Sequence, residues 1–114
     1  MGFGLRYYDL YGMPISMQRW SQLHGEYKHV GSTVVRREGQ SWWVSTVWLG
    51  LDHGFGSGPP VIFETMTFGA DGSADVCARY STLRQAQHGH REVVRELRRM
   101  KRQSKQLISH GKKP

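Results

Sequence analysis

Asp52, His53, Glu64 and His90 are the residues of this chain whose types and placement suit acid–base or metal chemistry, because carboxylates and imidazoles trade protons near neutrality and ligate divalent ions. Asp52 and His53 end the run SWWVSTVWLGLDH and stand at the mouth of a glycine-rich stretch, GFGSGPP. Glu64 lies within VIFETMTF among apolar neighbours, and His90 falls on the apolar stripe of a helical segment. Both are expected to face inward, which is costly unless each is paired or hydrogen-bonded. The pattern therefore predicts a Glu64–His90 contact, with Asp52 or His53 reaching in from the loop. Such a contact suits a reactive site. It equally suits a His–carboxylate tie between helix and sheet that does no chemistry. HxxxH, HExxH and CxxC spacings are all missing, so no metal and no cofactor is expected. The glycine-rich stretch lacks a following GK[ST] and leads into a strand pattern, so it is expected to connect strands and not to cradle phosphate. His88, on the polar side of the helical pattern, is expected in solvent.

The second chemistry in the sequence is electrostatic. Residues 91–114 carry nine basic residues against two acidic ones, which equals the whole net charge of +7, while residues 1–90 balance at seven against seven. Arg95, Arg98, Arg99, Lys101, Arg102 and Lys105 recur at helical spacing over one broad side, an arrangement suited to phosphate oxygens. A solvated helix end, with cations beside the negative end of the helix dipole, has the same composition. Because the rest of the chain is neutral, an anionic partner is expected: nucleic acid first, then an acidic protein surface. Alongside the acidic protein surface comes an anionic membrane reached through Leu97, Met100, Leu107 and Ile108.

The elements that must position these residues follow from periodicity. Residues 3–11, FGLRYYDLY, read as a short strand running into the Gly12-Met13-Pro14 turn, and Ser16 as the N-cap of a helix from Met17 to His24 that Gly25 ends. Val30–Arg37, Ser41–Leu51, Val61–Phe68 and Ala74–Tyr80 read as four strands of an antiparallel meander. In the second of these, Trp43, Val47, Leu49 and Leu51 face one way and Trp42, Val44, Thr46 and Trp48 the other. Both faces being apolar, the strand is expected to be central and at least partly covered on each side. Thr82 and Gln85 form a capping box ahead of a long helix whose apolar stripe is Leu83, Ala86, His90, Val93, Leu97 and Met100. That helix, running to about Ser109, is expected to dock by its first half and to project or fray by its second.

At 114 residues, with four Trp, five Tyr and four Phe, the chain has enough apolar material for one domain and no room for a second core. Its single cysteine, Cys77, rules out an internal disulfide framework and is expected to be a small buried residue. The start MGFGLRYYDLYGM has no apolar core of the length a signal peptide needs, and no run approaches the length of a membrane span, so a cytoplasmic protein is expected.

Taken in order and spacing, YYDLYGMPIS, WVSTVWLGLDH, GPPVIFETMTF and RYSTLRQAQHGH resemble a family of small proteins carried by actinobacteriophages and related prophages. The resemblance spans about residues 7–94. It implies a phage accessory protein acting in the bacterial host cytoplasm, or a minor virion component, and it carries over no reaction, cofactor or functional residue. The basic residues beyond Arg95 lie outside it.

These observations predict an α+β domain: a four- to five-stranded antiparallel sheet with a short N-terminal helix and a long C-terminal helix packed on one face. Residues 1–100 are expected to form the domain and 101–114 a basic helix end. The expected role is non-enzymatic binding of nucleic acid or another anionic partner. An enzyme using Asp52, His53, Glu64 and His90 is one alternative. A protein-binding or structural phage component using exposed aromatics such as Trp42 or Trp48 is the other.

Overall fold

A computed structural model describes residues 6–27, 29–54 and 56–111; for residues 26, 27 and 100–111 it describes the backbone alone. The elements are β1 (Tyr7–Tyr8), β2 (Pro14–Ile15), α1 (Met17–Tyr27), β3 (His29–Arg37), β4 (Gln40–Trp48), β5 (Phe63–Gly69), β6 (Ala74–Tyr80) and α2 (Leu83–Gly111). The fold is α+β. Strands β3-β4-β5-β6 form an antiparallel meander in sequence order, and β1 and β2 form a separate two-stranded ladder. Of the strand expected over residues 3–11, residues 3–5 lie outside the described residues, and over the described residues 6–11 strand is confined to Tyr7–Tyr8. Asp9 ends it: its carboxylate accepts the backbone N–H groups of Tyr11 and Met13, both at 2.9 Å, and turns the chain toward β2.

Local chemistry sets each connection. The β3–β4 turn is Glu38-Gly39, both at positive φ (51° and 82°), as a two-residue hairpin of matching twist requires. Between β5 and β6 the Asp71 carboxylate accepts the N–H of Ser73 at 2.9 Å, a bond that holds its pKa below the ordinary carboxylate value. Ser16 caps α1 by accepting the N–H of Arg19 at 3.0 Å. The helix continues past Gly25 to Tyr27 instead of stopping there, because a glycine that keeps negative φ does not end a helix. At α2 the capping box is reciprocal, with Gln85 N–H donating to the Thr82 hydroxyl at 3.0 Å and Thr82 N–H to the Gln85 side chain at 3.1 Å.

Both helices pack on one side of the sheet. Leu23, Trp48, Ile62, Phe63 and Ala86 form one buried cluster near the α1 end, and Val35, Val44 and Val94 form a second toward the middle of α2. The inward line of α2 is Ala86–His90–Val94, with Leu83, Val93 and Leu97 half-buried beside it. The other face of β4 differs from expectation: Trp43 is 39% exposed and, among the described residues, no helix covers it. Trp48, by contrast, is fully buried and Trp42 packs against the second cluster, so neither is the exposed aromatic that a binding surface would need. Cys77 also departs from expectation. It sits at the β5–β6 register shift and is exposed.

Candidate functional site

His90 lies where the two apolar clusters meet, and the sheet answers it with hydroxyls. Thr46 on β4 and Thr65 on β5 are directly opposite one another and both fully buried. The Thr46 hydroxyl is 2.7 Å from His90 Nδ1 and 2.6 Å from the Thr65 hydroxyl, which accepts a bond from the Tyr80 hydroxyl at 3.0 Å. On the other side of the ring, His90 Nε2 is 2.8 Å from the Thr33 hydroxyl on β3. A single run of hydrogen bonds thus joins Tyr80, Thr65, Thr46, His90 and Thr33, crossing all four strands and the helix. Donation in one direction satisfies every member when the imidazole is neutral, with Nδ1 accepting from Thr46 and Nε2–H donating to Thr33. Burial, and secondly the positive charge of Arg91, hold the His90 pKa below its ordinary value, in keeping with that neutral form.

Two glycines make the close approach possible. A Cβ at Gly31 would come within 2.9 Å of His90 Nδ1, and one at Gly89 would run into the Tyr80 ring. With hydrogen at both positions, α2 settles close enough for the imidazole and the phenol to reach the sheet.

One helical step round from this buried line, α2 presents arginines. Arg91, Arg95 and Arg98, with His90, Thr33 and Val94, line an open groove of about 390 Å³ between α2 and the edge strand β3. Arg37 at the end of β3 donates to the backbone carbonyl of Arg98, tying strand to helix there. Arg95 pairs with Glu92 at 2.7 Å; among the described residues no carboxylate lies within ion-pair distance of Arg91 or Arg98. The groove therefore has a cationic wall, supplied by α2, and a neutral polar floor of imidazole and hydroxyl. A second cavity, about 280 Å³, lies between the hairpin turns and is lined by Gly39, Gln40, Ser41, Trp42, Gly69, Ala70 and Asp71.

The expected Glu64–His90 contact does not form. Opposite Val47 on β4, Glu64 faces the side of the sheet away from α2, where it accepts a 3.0 Å bond from Arg79, while His90 sits on the α2 side. The cause is strand parity: Thr65, not Glu64, shares a face with Thr46 and Trp48. Asp52 clamps its loop by accepting the N–H groups of Gly54 and Val61, each at 2.8 Å. His53 is exposed, with Nδ1 2.7 Å from the Leu51 carbonyl. Among the described residues no hydrogen bond or ion pair joins any two of Asp52, His53, Glu64 and His90, and no group of three metal-ligating side chains gathers. Of the basic residues expected to bind an anion, Arg95 and Arg98 are in the groove. Arg99 is beside Glu96 at 3.7 Å, and the side chains of Lys101, Arg102 and Lys105 lie outside the described residues. Arg91 and the three threonines are not among the candidate site residues that the sequence pattern singles out. Spacing of 91, 95 and 98 was the available signal for the first; inward parity at positions 46 and 65 was the signal for two of the others.

No helix of the described chain is long and apolar enough to cross a membrane. Compared with known protein families, characterised proteins and solved structures, the chain has no match.

Proposed function

We propose that this chain is a small phage-type accessory protein that binds nucleic acid without catalysing a reaction, taking backbone phosphates in the groove between α2 and β3. The observation that carries the reading is the row Arg91, Arg95 and Arg98 along a groove of about 390 Å³, with the Thr33 hydroxyl at its floor. Arginine forks match phosphate oxygens, and a hydroxyl supplies one further neutral donor. The charge count supports the direction of the reading, since residues 91–114 hold the full net charge of +7. Phosphate contacts of this kind set affinity and not sequence choice. An acidic protein surface is the second partner that the same arginines fit. The enzyme alternative draws no support from the geometry, because both His90 ring nitrogens are engaged by threonine hydroxyls and, among the described residues, no carboxylate joins them.

The test is a salt titration of the full chain against a short labelled duplex and a single strand, starting at ~50 mM salt where such contacts are strong. Replacing Arg91, Arg95 and Arg98 together by Gln should weaken binding to all sequences alike. It should also make the slope of log affinity against log salt shallower by about 2–3, at ~0.9 per lost phosphate contact on duplex. The pair Arg19→Gln and Arg84→Gln, exposed residues away from the groove, should change it less. No binding by the intact chain at low salt would refute the reading; so would full binding by the triple variant.

A further inference from the structure

The sheet has two faces and the helices use one. On the other, β3 presents Val34, β4 presents Trp43 and Val47, β5 presents Met66 and Phe68, and β6 presents Val76, so that apolar side chains continue across all four strands. Val34 is 46% exposed and Val76 48%, values at which a β-branched side chain still offers half its surface to water. The patch is fixed in place. Trp43 Nε1–H donates to the Ser32 hydroxyl at 2.8 Å, and the Trp43 and Phe68 rings stack with centroids 5.0 Å apart. Holding these rings before any partner arrives lowers the ordering cost of covering them.

We infer that this face docks a second copy of the same chain, sheet against sheet, to give a two-fold symmetric dimer with its helices on the outside. Shape supports it: a twisted sheet face packs best on another twisted sheet, at about 10 Å separation and a crossing near −30°. Area supports it as well. Four strands about 4.8 Å apart and six residues at about 3.4 Å each give a footprint of roughly 400 Å² per copy. With side chains standing out of the sheet, the surface removed from the pair reaches roughly 1,000 Å², the floor for a specific interface.

Charge decides between occupants. On this face Arg79 is paired with Glu64 at 3.0 Å, which leaves Arg36 as the strand cation without a carboxylate partner among the described residues, against the row of arginines on the opposite layer. A phosphate backbone is thus drawn to the groove side, and aliphatic Val34, Met66 and Val76 around the rings suit an apolar protein surface better than bases. Two chains of net charge +7 would ordinarily repel. In this arrangement the two α2 helices stand apart by two helix–sheet layers and one sheet–sheet layer, about 30 Å, several times the ~8 Å Debye length at physiological salt. The dimer is independent of the nucleic-acid reading and would present two grooves facing outward.

Sedimentation of the full chain from about 1 to about 200 µM, spanning the range of weak to moderate self-association, tests the inference at ~50 and ~500 mM salt. The expected result is a shift from the 13.1 kDa chain to twice that mass, no weaker at the higher salt, whereas groove-bound nucleic acid leaves as salt rises. Lysine at both positions, V34K with V76K, should hold the chain monomeric with unchanged circular dichroism. The milder pair V34T with V76T, which keeps β-branching, should weaken the dimer at least tenfold even if the lysine variant fails to fold. A chain that stays at 13.1 kDa throughout overturns the inference. A dimer unaffected by the threonine pair overturns it too, since the interface would lie elsewhere. Tryptophan quenching by a single-stranded oligonucleotide that is lost in Trp43→Phe yet kept in the groove-arginine variant would hand the face to nucleic acid instead.

Discussion

Replacing His90 by Ala removes one ring and two hydrogen bonds from the junction of the two core clusters, and the structure sets the size of the loss. Thr46 is fully buried but keeps Thr65 as a partner, and Thr33 is half-buried at the groove, where water can reach its hydroxyl. The hydrogen-bond penalty is therefore about 1–2 kcal/mol, the lower half of what an unsatisfied buried group costs. His90 is 8% exposed, so the vacated volume also leaves sheet and helix without contacts, and because the site opens toward the groove this adds about 1–2 kcal/mol more. A total of about 2–4 kcal/mol should appear in urea unfolding as a midpoint lower by about 1–3 M at unchanged slope. The pH dependence gives a sharper check. The folded state holds the His90 pKa below that of the unfolded chain, so between the two values the unfolded chain binds more protons. The stability contributed by the neutral ring is complete above about pH 6.5 and is lost as pH falls from there through the folded pKa, after which the loss levels off. The gap between wild type and His90→Ala should narrow from about pH 7.5 to about pH 5. A gap below about 1 kcal/mol at the higher pH, or one that widens on acidification, would refute the neutral, two-bonded imidazole.

Four further substitutions test the close packing and the loop. Gly89→Ala drives a Cβ into the Tyr80 ring and should cost about 1–3 kcal/mol despite the better helix propensity of alanine, while Gly25→Ala in α1, where nothing lies within 4 Å, should stabilise by about 0.5–1 kcal/mol in thermal melts. Asp52→Ala strips both clamps from the loop and should cost about 1–3 kcal/mol in denaturant unfolding; Asp52→Asn, whose amide oxygen still accepts, should lose less than half of that.

The four strands of the meander, the capping box and the long helix were legible because each is specified locally, by alternation, turn chemistry or 3.6-residue spacing. The sheet order followed from the short hairpins. What the sequence concealed was pairing across elements. The helical spacing places His90 inward, and it is buried, but its apolar surroundings do not name its partner, and strand parity puts the candidate carboxylate, Glu64, on the far face. The buried partners are threonines: strand parity marks Thr46 and Thr65 as inward-facing, but threonine is common enough in strands for its β-propensity that parity alone does not mark either as the partner of an imidazole. The open face of β4 was hidden for a related reason. Apolar residues on both sides of a strand describe what the strand can bury, and whether a second layer exists depends on elements far away in the chain or in another molecule.

The groove and the buried network depend on the same helix turn. Position 90 points into the sheet and position 91 points along its edge, so the depth at which α2 sits, set by Gly31, Gly89 and the threonines, also fixes how the row Arg91–Arg95–Arg98 stands over β3. A carboxylate in place of the hydroxyls would raise the His90 pKa and put a further charge beside Arg91 at the groove floor. Hydroxyls instead satisfy the ring without adding charge. The cationic wall then stands on a neutral, hydrogen-bonded base that is packed from both apolar clusters, a rigid mounting that leaves the arginine side chains as the adjustable part.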